Sequence, residues 1–529
     1  MRYCAAALMF LVCVCCLGCG VSKPTATEVK LSNLFTDDMV LQRKLPITVF
    51  GKAKCPAEGR GVVVVGLDKD MAVAKVDSEG RWRAMLPSRA AGGPYTLTVA
   101  GSDRTLEVKN VMIGEVWVCS GQSNMEFTVN GCKNAKEEIE KANHPAIRLF
   151  NIAPAKHLAV KPEDDVNAKW EVCSPATVGN FSAVAYFFGR ELSEKLNVTV
   201  GLINSPWGGS PVEQWIPMET YKNDPALSDF PARIEKESAD YPKAMEDYSK
   251  RMEEWKAAKD KILAANPGAA TQPGAIPNQP WQPQQPQDRY SAMYNGNIAP
   301  IVGYGIRGAI WYQGESNAGN PMGYRKSFPA MIRAWRKAWG QGDFPFLFVQ
   351  LANFMDRPTD PNVKGSWAEL REEQTLTLST PKTGMAVITD VGEAADIHPR
   401  DKQTVGHRLA IIAEANTYGM KDVVFSGPLF HSMKVEGNKI RLSFKHVDGG
   451  LVVKGDKLAG FAVAGKDGKY VWADAAIEGD MVVVSSDKVE QPVMVRYAWG
   501  NNPECSLYNK ADLPASPFRA GEPEPKAAK

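Results

Sequence analysis

The sequence predicts an α/β protein: a parallel sheet flanked by helices, with a β-sandwich-like domain on its N-terminal side and another on its C-terminal side. Three observations lead there. Between about Val111 and Tyr418 apolar strand patterns alternate with helical ones, as in parallel strands joined by crossover helices. Outside that stretch the pattern changes to short alternating apolar runs broken by Gly, Pro and Asp. The residues equipped for chemistry fall at the ends of apolar strands, where open α/β sheets carry their sites.

The first twenty residues have Arg2, then an apolar stretch from Ala5 to Leu17, then small residues. Residues 1–20 read as a secretory signal peptide, so the expectation is an exported protein of the periplasm or cell surface. Leu17-Gly18-Cys19 admits lipid attachment at Cys19, although a lipid-attachment site usually has Leu where Cys16 stands. Simple secretion is the alternative, and any membrane association would run through that anchor alone. No later apolar run is long enough to cross a bilayer.

Residues 28–110 form the N-terminal β domain, with strand patterns at Ile47-Phe50, Val62-Val65 and Tyr95-Val99. Residues 111–420 form the central domain. Strands are expected at Glu115-Cys119, Val198-Ile203, Gly308-Tyr312, Phe344-Gln350 and Met385-Thr389. Helices are expected at Ala183-Leu196, Tyr324-Trp339, Trp367-Thr377 and Asp401-Thr417. An insertion over 216–290 interrupts this domain. Its first part is charged and helix-like, and Asn266 to Gln287 is Pro/Gln/Gly-rich with no capacity for a core. Short strands return over 421–518, at Met433-Val435, Ile440-Phe444, Gly460-Val463, Met481-Ser485 and Pro492-Tyr497. Residues 519–529 read as a Pro/Glu/Lys-rich disordered tail.

A length of 529 residues fits two or three domains, and 44% apolar with 23% charged residues is a globular composition. Sixty-two Lys and Arg against sixty Asp and Glu leave +2, which gives no hint of a nucleic-acid partner. No His/Cys/Asp cluster has metal-ligand spacing, so neither a metal nor another cofactor is expected. Five of ten cysteines lie in the signal segment. The others permit at most two bridges, with Cys132 and Cys173 as a candidate pair, and Cys119 reads as a small core residue or a bridge partner, not a nucleophile.

Three segments carry the chemistry. Gly121-Gln-Ser-Asn-Met125 follows an apolar strand and places Ser123 where a hydrolase places its nucleophile. Trp311-Tyr-Gln-Gly-Glu-Ser-Asn317 ends another strand, and Asp396-Ile-His-Pro399 lies in a loop before a helix. A serine hydroxyl needs a base and an oxyanion pocket to act, and His398 and the amide donors supply the residue types. The oxyanion candidates are the backbone N–H of Ser123, the backbone N–H of Gly209 in Trp207-Gly-Gly209, and the side-chain amide of Gln313, with Asn317 as a poorer choice. Glu315 reads as a buried hydrogen-bond partner. Trp207, Glu213, Trp215 and Arg400 are the candidates to line a substrate site.

These blocks, with Glu115-Val-Trp-Val-Cys-Ser-Gly-Gln-Ser-Asn-Met-Glu126, Asn204-Ser-Pro-Trp-Gly-Gly209 and Ile397-His-Pro-Arg-Asp-Lys-Gln403, resemble the sialate O-acetylesterases of the SGNH (GDSL-like) hydrolase superfamily. The resemblance covers most of the chain. It implies an SGNH-like sheet and a metal-free serine esterase that hydrolyses acetyl esters on sugars, most simply on sialic acid. Acetylated plant glycans such as xylan or xyloglucan are the alternative substrate, and a non-catalytic glycan-binding surface protein is the alternative from another class. The superfamily's Asp-x-x-His spacing puts the orienting acid at 395, which is Ala395 here. Asp396 is favoured for the role, with Asp390 or a Ser–His dyad as the other solutions.

Overall fold

The computed structural model describes residues 23–521 apart from 57–60, 272–273, 281, 284 and 364. The expected signal peptide, Cys19 and residues 522–529 lie outside the described residues.

Seven strands form the main path of an eleven-stranded central sheet among the described residues, in spatial order Trp170–Cys173, His144–Asn151, Val200–Pro206, Thr105–Gly121, Gly308–Tyr312, Phe346–Val349 and Thr383–Ala386. Five of the six pairings are parallel; Trp170–Cys173 alone runs antiparallel, at the edge. Three of the parallel strands, Val200–Pro206, Gly308–Tyr312 and Phe346–Val349, are buried at every position. Covered on both faces, they read as continuous apolar runs. The strand order changes direction beside Thr105–Gly121: the chain first moves to one side of it, returns as Val200–Pro206, and continues on the other side as Gly308–Tyr312. Such a switch point opens a crevice at the C-terminal strand ends, and Ser123 lies there.

The covering helices follow from local sequence. Pro321–Trp339 begins with Asn320, whose side chain accepts from the Gly323 N–H, and Pro321 occupies its first position. Tyr324, Phe328, Met331, Trp335 and Trp339 are spaced three or four apart and form its buried stripe. Gly340 ends it in the left-handed region at φ 65°. The Trp335 indole stands edge-on to Trp311 of the sheet at 6.0 Å, so truncating it to Ala costs about 3–5 kcal/mol. On the opposite face Lys402–Asn416, capped by Asp401, packs against Ala183–Leu196, capped by Ser182.

Four expectations meet corrections. The long Thr105–Gly121 strand crosses the expected boundary at 110/111. Its first half pairs with Gly92–Ala100 and Val40–Gln42, and its second half is the centre of the parallel sheet. One apolar cluster runs from Val29 and Val99 to Trp215, Trp311 and Phe346, so the N-terminal strands share their core with the central region. At the other end, Phe518–Ala520 pairs with Met494–Tyr497, carrying ordered strand into the expected tail. Cys132 and Cys173 are both free and buried, with no bridge between them. The insertion is dominated by one helix, Phe230–Ala265, of which Phe230 is the buried residue. The Pro/Gln-rich return lies along it, with the Trp255 indole N–H donating to the Pro277 carbonyl at 2.7 Å.

The C-terminal strands form a four-stranded sheet over 429–485, another over 461–520, and a two-stranded pair. They enclose their own apolar cluster around Leu442, Phe461, Val484 and Tyr497.

Candidate active site

Ser123 opens a single helical turn, Ser123–Glu126, immediately after the central strand. Gly121 makes that exit possible. Its φ is 141°, and a Cβ there would stand 2.1 Å from the Tyr312 carbonyl oxygen of the neighbouring strand. Gln122 then fixes the turn from both ends. Its N–H donates to the Tyr312 carbonyl at 2.9 Å, and its side-chain oxygen accepts from the Ser316 N–H at 3.2 Å.

His398 reaches this serine from 275 residues away. Its Nε2 lies 2.9 Å from Ser123 Oγ, within range of direct proton transfer. Phe127 stacks near the imidazole, with ring centres 6.3 Å apart and planes at 23°. Partial burial, followed by the positive charge of Lys402, lowers the pKa of His398, while Asp396 pulls the other way. The imidazole is therefore neutral, as a general base must be, throughout the neutral range.

Of the proposed orienting acids, Asp396 is the one beside His398. Its Oδ1 accepts the His398 backbone N–H at 2.9 Å and stands 3.5 Å from Nδ1. That second distance is long for a hydrogen bond, and the carboxylate is 54% exposed. Asp390 is committed elsewhere: Arg408 grips both its oxygens at 2.5 and 2.8 Å, and Tyr508 donates to it.

The oxyanion candidates divide. Among the described residues, the N–H groups of Ser123 and Gly209 have no acceptor, whereas the Gly208 N–H donates to Glu126 Oε2 at 2.6 Å. Gly208 sits against Ser123: a Cβ built there would lie 3.4 Å from the serine Cβ. Gln313 is a correction. Both amide protons are used, one on the Ser210 carbonyl at 3.2 Å and one on Asn317 Oδ1 at 2.7 Å. Asn317 is engaged too, accepting from the Val212 N–H and donating to Glu213 Oε2. These side chains hold the 207–213 loop against the 313–317 turn, so Gln313 supports the pocket from beneath.

Glu213 is likewise a correction, as a member of that network only 6% exposed and not part of a sugar-contacting surface. Trp215 is fully buried, its indole donating to Ser210 Oγ. Trp207 is half-buried with the Lys156 ammonium 5.1 Å over its ring, and Lys156 pairs with Glu126. Arg400 is exposed and donates to the Gly131 carbonyl at 3.2 Å. Glu126 and Lys156 were not among the expected site residues, since both connect through the fold and no spacing joins them.

Behind the serine lies a second unexpected group. Asn124 Nδ2 donates to Glu315 Oε1 at 2.6 Å and to the Ile397 carbonyl at 3.0 Å, and Lys402 Nζ donates to Asn124 Oδ1 at 2.5 Å. Glu315 is the buried hydrogen-bond partner the sequence suggested, and burial raises its pKa. Among the described residues no group of three or more His, Cys, Asp and Glu converges to hold a metal ion. A cavity of about 730 Å³ lies beneath the N-terminal strands, lined by Phe50, Arg83 and Asp164, and none of the residues above borders it. The serine and the base thus meet in the crevice at the strand ends, with Gly208 against the serine.

The family described as carbohydrate esterase, sialic acid-specific acetylesterase matches residues 113–263 and 269–413. Sialate O-acetylesterase from Rattus norvegicus is 28% identical, over 94% of this chain and 96% of that protein. The Homo sapiens sialate O-acetylesterase is also 28% identical, over 93% of this chain and 92% of its own. Among solved structures, a carbohydrate acetylesterase from Xanthomonas citri is 35% identical, with a TM-score of 0.77 over 93% of this chain and 99% of that one.

Proposed function

The chain belongs to the sialic acid-specific acetylesterase family of carbohydrate esterases, and on that premise we propose that it is an exported serine esterase that removes O-acetyl groups from sialic acid through an acetyl-enzyme. The observation that carries the mechanism is the 2.9 Å contact between His398 Nε2 and Ser123 Oγ.

Ser123 Oγ attacks the acetyl carbonyl as His398 takes its proton. The carbonyl oxygen becomes an oxyanion between the N–H groups of Ser123 and Gly209, both otherwise without acceptors among the described residues. The C–O bond to the sugar then breaks and His398 gives its proton to the departing sugar hydroxyl. Water, deprotonated by His398, attacks the acetyl-serine, and acetate leaves as the proton returns to Ser123 Oγ. Asp396 orients the imidazole. Trp207 and Lys156 offer a ring and a cation on one side of the serine, and Arg400 offers a second cation on the loop that carries His398. Either cation suits the carboxylate of a sialic acid. The strand order, with the serine after the central parallel strand, supports an SGNH-type reading of the central region. Export rests on the segment from Arg2 to Leu17, with Cys19 as its lipid-anchored variant; fractionation of the producing cells separates the two.

The test is acetate release from p-nitrophenyl acetate and from a panel of acetylated sialosides and xylo-oligosaccharides, for wild type and Ser123→Ala. Turnover lost in the variant supports the mechanism, and equal turnover removes Ser123 as nucleophile. Activity confined to the xylo-oligosaccharides moves the substrate to plant glycans. No turnover by either protein points to glycan binding without catalysis.

A further inference from the structure

The buried group behind the serine does not touch the ester in the mechanism above, yet it joins the three segments that build the site. Asn124 follows Ser123 in the chain. Glu315 stands in the turn after Gly308–Tyr312, and Lys402 lies in the first turn of Lys402–Asn416. Through Asn124 the group also holds the carbonyl of Ile397, the residue before His398.

Lys402 is fully buried, an uncommon place for an ammonium. Its Nζ lies 4.8 Å from the Phe127 ring centre and 5.1 Å from that of Tyr312, and its hydrogen bond goes to Asn124 Oδ1. Phe127 therefore has the ammonium near one position on its ring and the His398 imidazole stacked nearby. The anions that bear on Lys402 are Glu315 from the strand-end turn and Asp396 and Glu393 from the His398 loop; the Cys132 thiol faces it from the segment after Val129–Gly131. Burial outweighs them and brings the ammonium down to a pKa of about 7. Its charge is in turn the second-largest influence on His398, after burial.

We propose that Lys402 is a positioning residue for the hydrolysis: joined to Glu315 and to the Ile397 carbonyl through Asn124, it braces the His398 loop and couples its own charge to the proton affinity of His398. The coupling has a definite sign. Protonated Lys402 holds the imidazole in its neutral, proton-accepting form at lower pH than an isolated histidine would allow. As Lys402 loses its proton near neutrality, His398 becomes a stronger base. The two groups titrate as a pair, and the enzyme's pH profile belongs to both.

This inference rests on Ser123 and His398 as the reacting pair, so the experiment carries Ser123→Ala as a control; residual activity in that variant would sink the mechanism itself, not this extension of it. With the pair established, the acid limb of kcat/KM is compared for wild type, Lys402→Met and Lys402→Gln, each checked by thermal melting. Loss of the positive charge is expected to move the limb upward by about half to one pH unit, besides lowering kcat. A purely structural role would lower kcat and leave the limb in place. A limb within about 0.2 pH unit of wild type in a folded variant overturns the proposal. Should neither variant fold, wild type labelled with ¹³C at lysine Cε and histidine Cε1 supplies the answer. One lysine and one histidine signal sharing both inflections, and absent or altered in Asn124→Ala, is the expected result; titration curves with no shared inflection overturn it.

Discussion

Asp396 shows how far a single residue departs from the role its position suggests. In a full triad the acid is buried and bonded tightly to the far imidazole nitrogen, and its loss costs about four powers of ten in kcat. Here the carboxylate spends its best hydrogen bond on the His398 backbone N–H, stands 3.5 Å from Nδ1, and is half exposed. Asp396→Asn is therefore expected to lower kcat only about tenfold to a hundredfold, measured by steady-state acetate release. A loss of ten-thousandfold would show that the Nδ1 contact tightens when substrate binds. Asp390→Asn should behave in the opposite way. It strips an anion from the nearly buried Arg408, so unfolding in urea should come earlier by about 3 kcal/mol while the surviving folded fraction retains its kcat. His398 itself predicts a pH profile. Its pKa is lowered, and in the proposed mechanism the neutral imidazole is the base, so the acid limb of kcat/KM should have its midpoint below 6.5. A midpoint above 6.5 would mean that Asp396 outweighs burial and Lys402. That Ser123 and His398 would be brought together was legible because few residue types can act as nucleophile and base. The orienting acid was not: Asp396 lies one place from the usual spacing, and only the path of the loop shows which of its contacts is short.

At the scale of elements, the proposed oxyanion pocket depends on one loop being fastened to one turn. Trp207-Gly-Gly209 leaves the Val200–Pro206 strand, and the network of Gln313, Asn317, Glu213 and Ser210 pins it to the 313–317 turn. Gly209 adopts φ 72°, and a Cβ there would meet no atom within 4 Å. Gly209→Ala therefore costs about 1 kcal/mol of backbone strain without a clash. The loop is expected to relieve that strain by turning its N–H out of place, lowering kcat about tenfold or more while the melting temperature moves by only a few degrees. Unchanged kcat would remove that amide from the oxyanion site. The sequence pointed to Gln313 as a donor because an amide follows an apolar strand; whether its protons face the ester or a carbonyl depends on partners a hundred residues away. The long buried strands and the capped helices were legible for local reasons: runs such as Phe346–Val349 can only be interior, and Asn320, Pro321 and Gly340 mark a helix at both ends. His144–Asn151 was missed. It opens with His-Pro-Ala and carries Arg148, which reads as polar until the fold supplies the Asp38 carboxylate and carbonyl for its guanidinium.

Across the whole molecule, the C-terminal strands are tied to the loop that carries His398. Arg371 is fully buried and donates to four carbonyls: Leu351 and Ala352 at the end of a central strand, Gly500 and Asn501 in the C-terminal region. Burial lowers its pKa to about 10, so it stays charged under all working conditions. From there the path continues by hydrogen bonds. Asn353 Nδ2 donates to Asn502, Asn353 Oδ1 accepts from the Gly392 N–H, and the Met355 N–H donates to the Ala394 carbonyl, four residues before His398. Alternating apolar runs after Gly419 revealed a β region, but no local pattern tells that an arginine on a helix near residue 371 would meet carbonyls near residue 500. Arg371→Met keeps much of the side chain's bulk and removes every donor. The buried Leu351 and Gly500 carbonyls then lack partners, while those of Ala352 and Asn501 keep the Trp367 indole and the Phe354 N–H, and the cost should be about 3 kcal/mol in urea unfolding. The damage should also reach the chemistry: kcat per folded molecule is expected to fall, because the 351–355 loop that holds 392–394 has lost its anchor. If the variant is destabilised and its folded molecules turn over at the wild-type rate, the C-terminal strands stabilise the chain without helping to place His398. If both quantities fall together, the region after residue 421 is part of what makes this chain an esterase, since it holds the base within 2.9 Å of Ser123 Oγ.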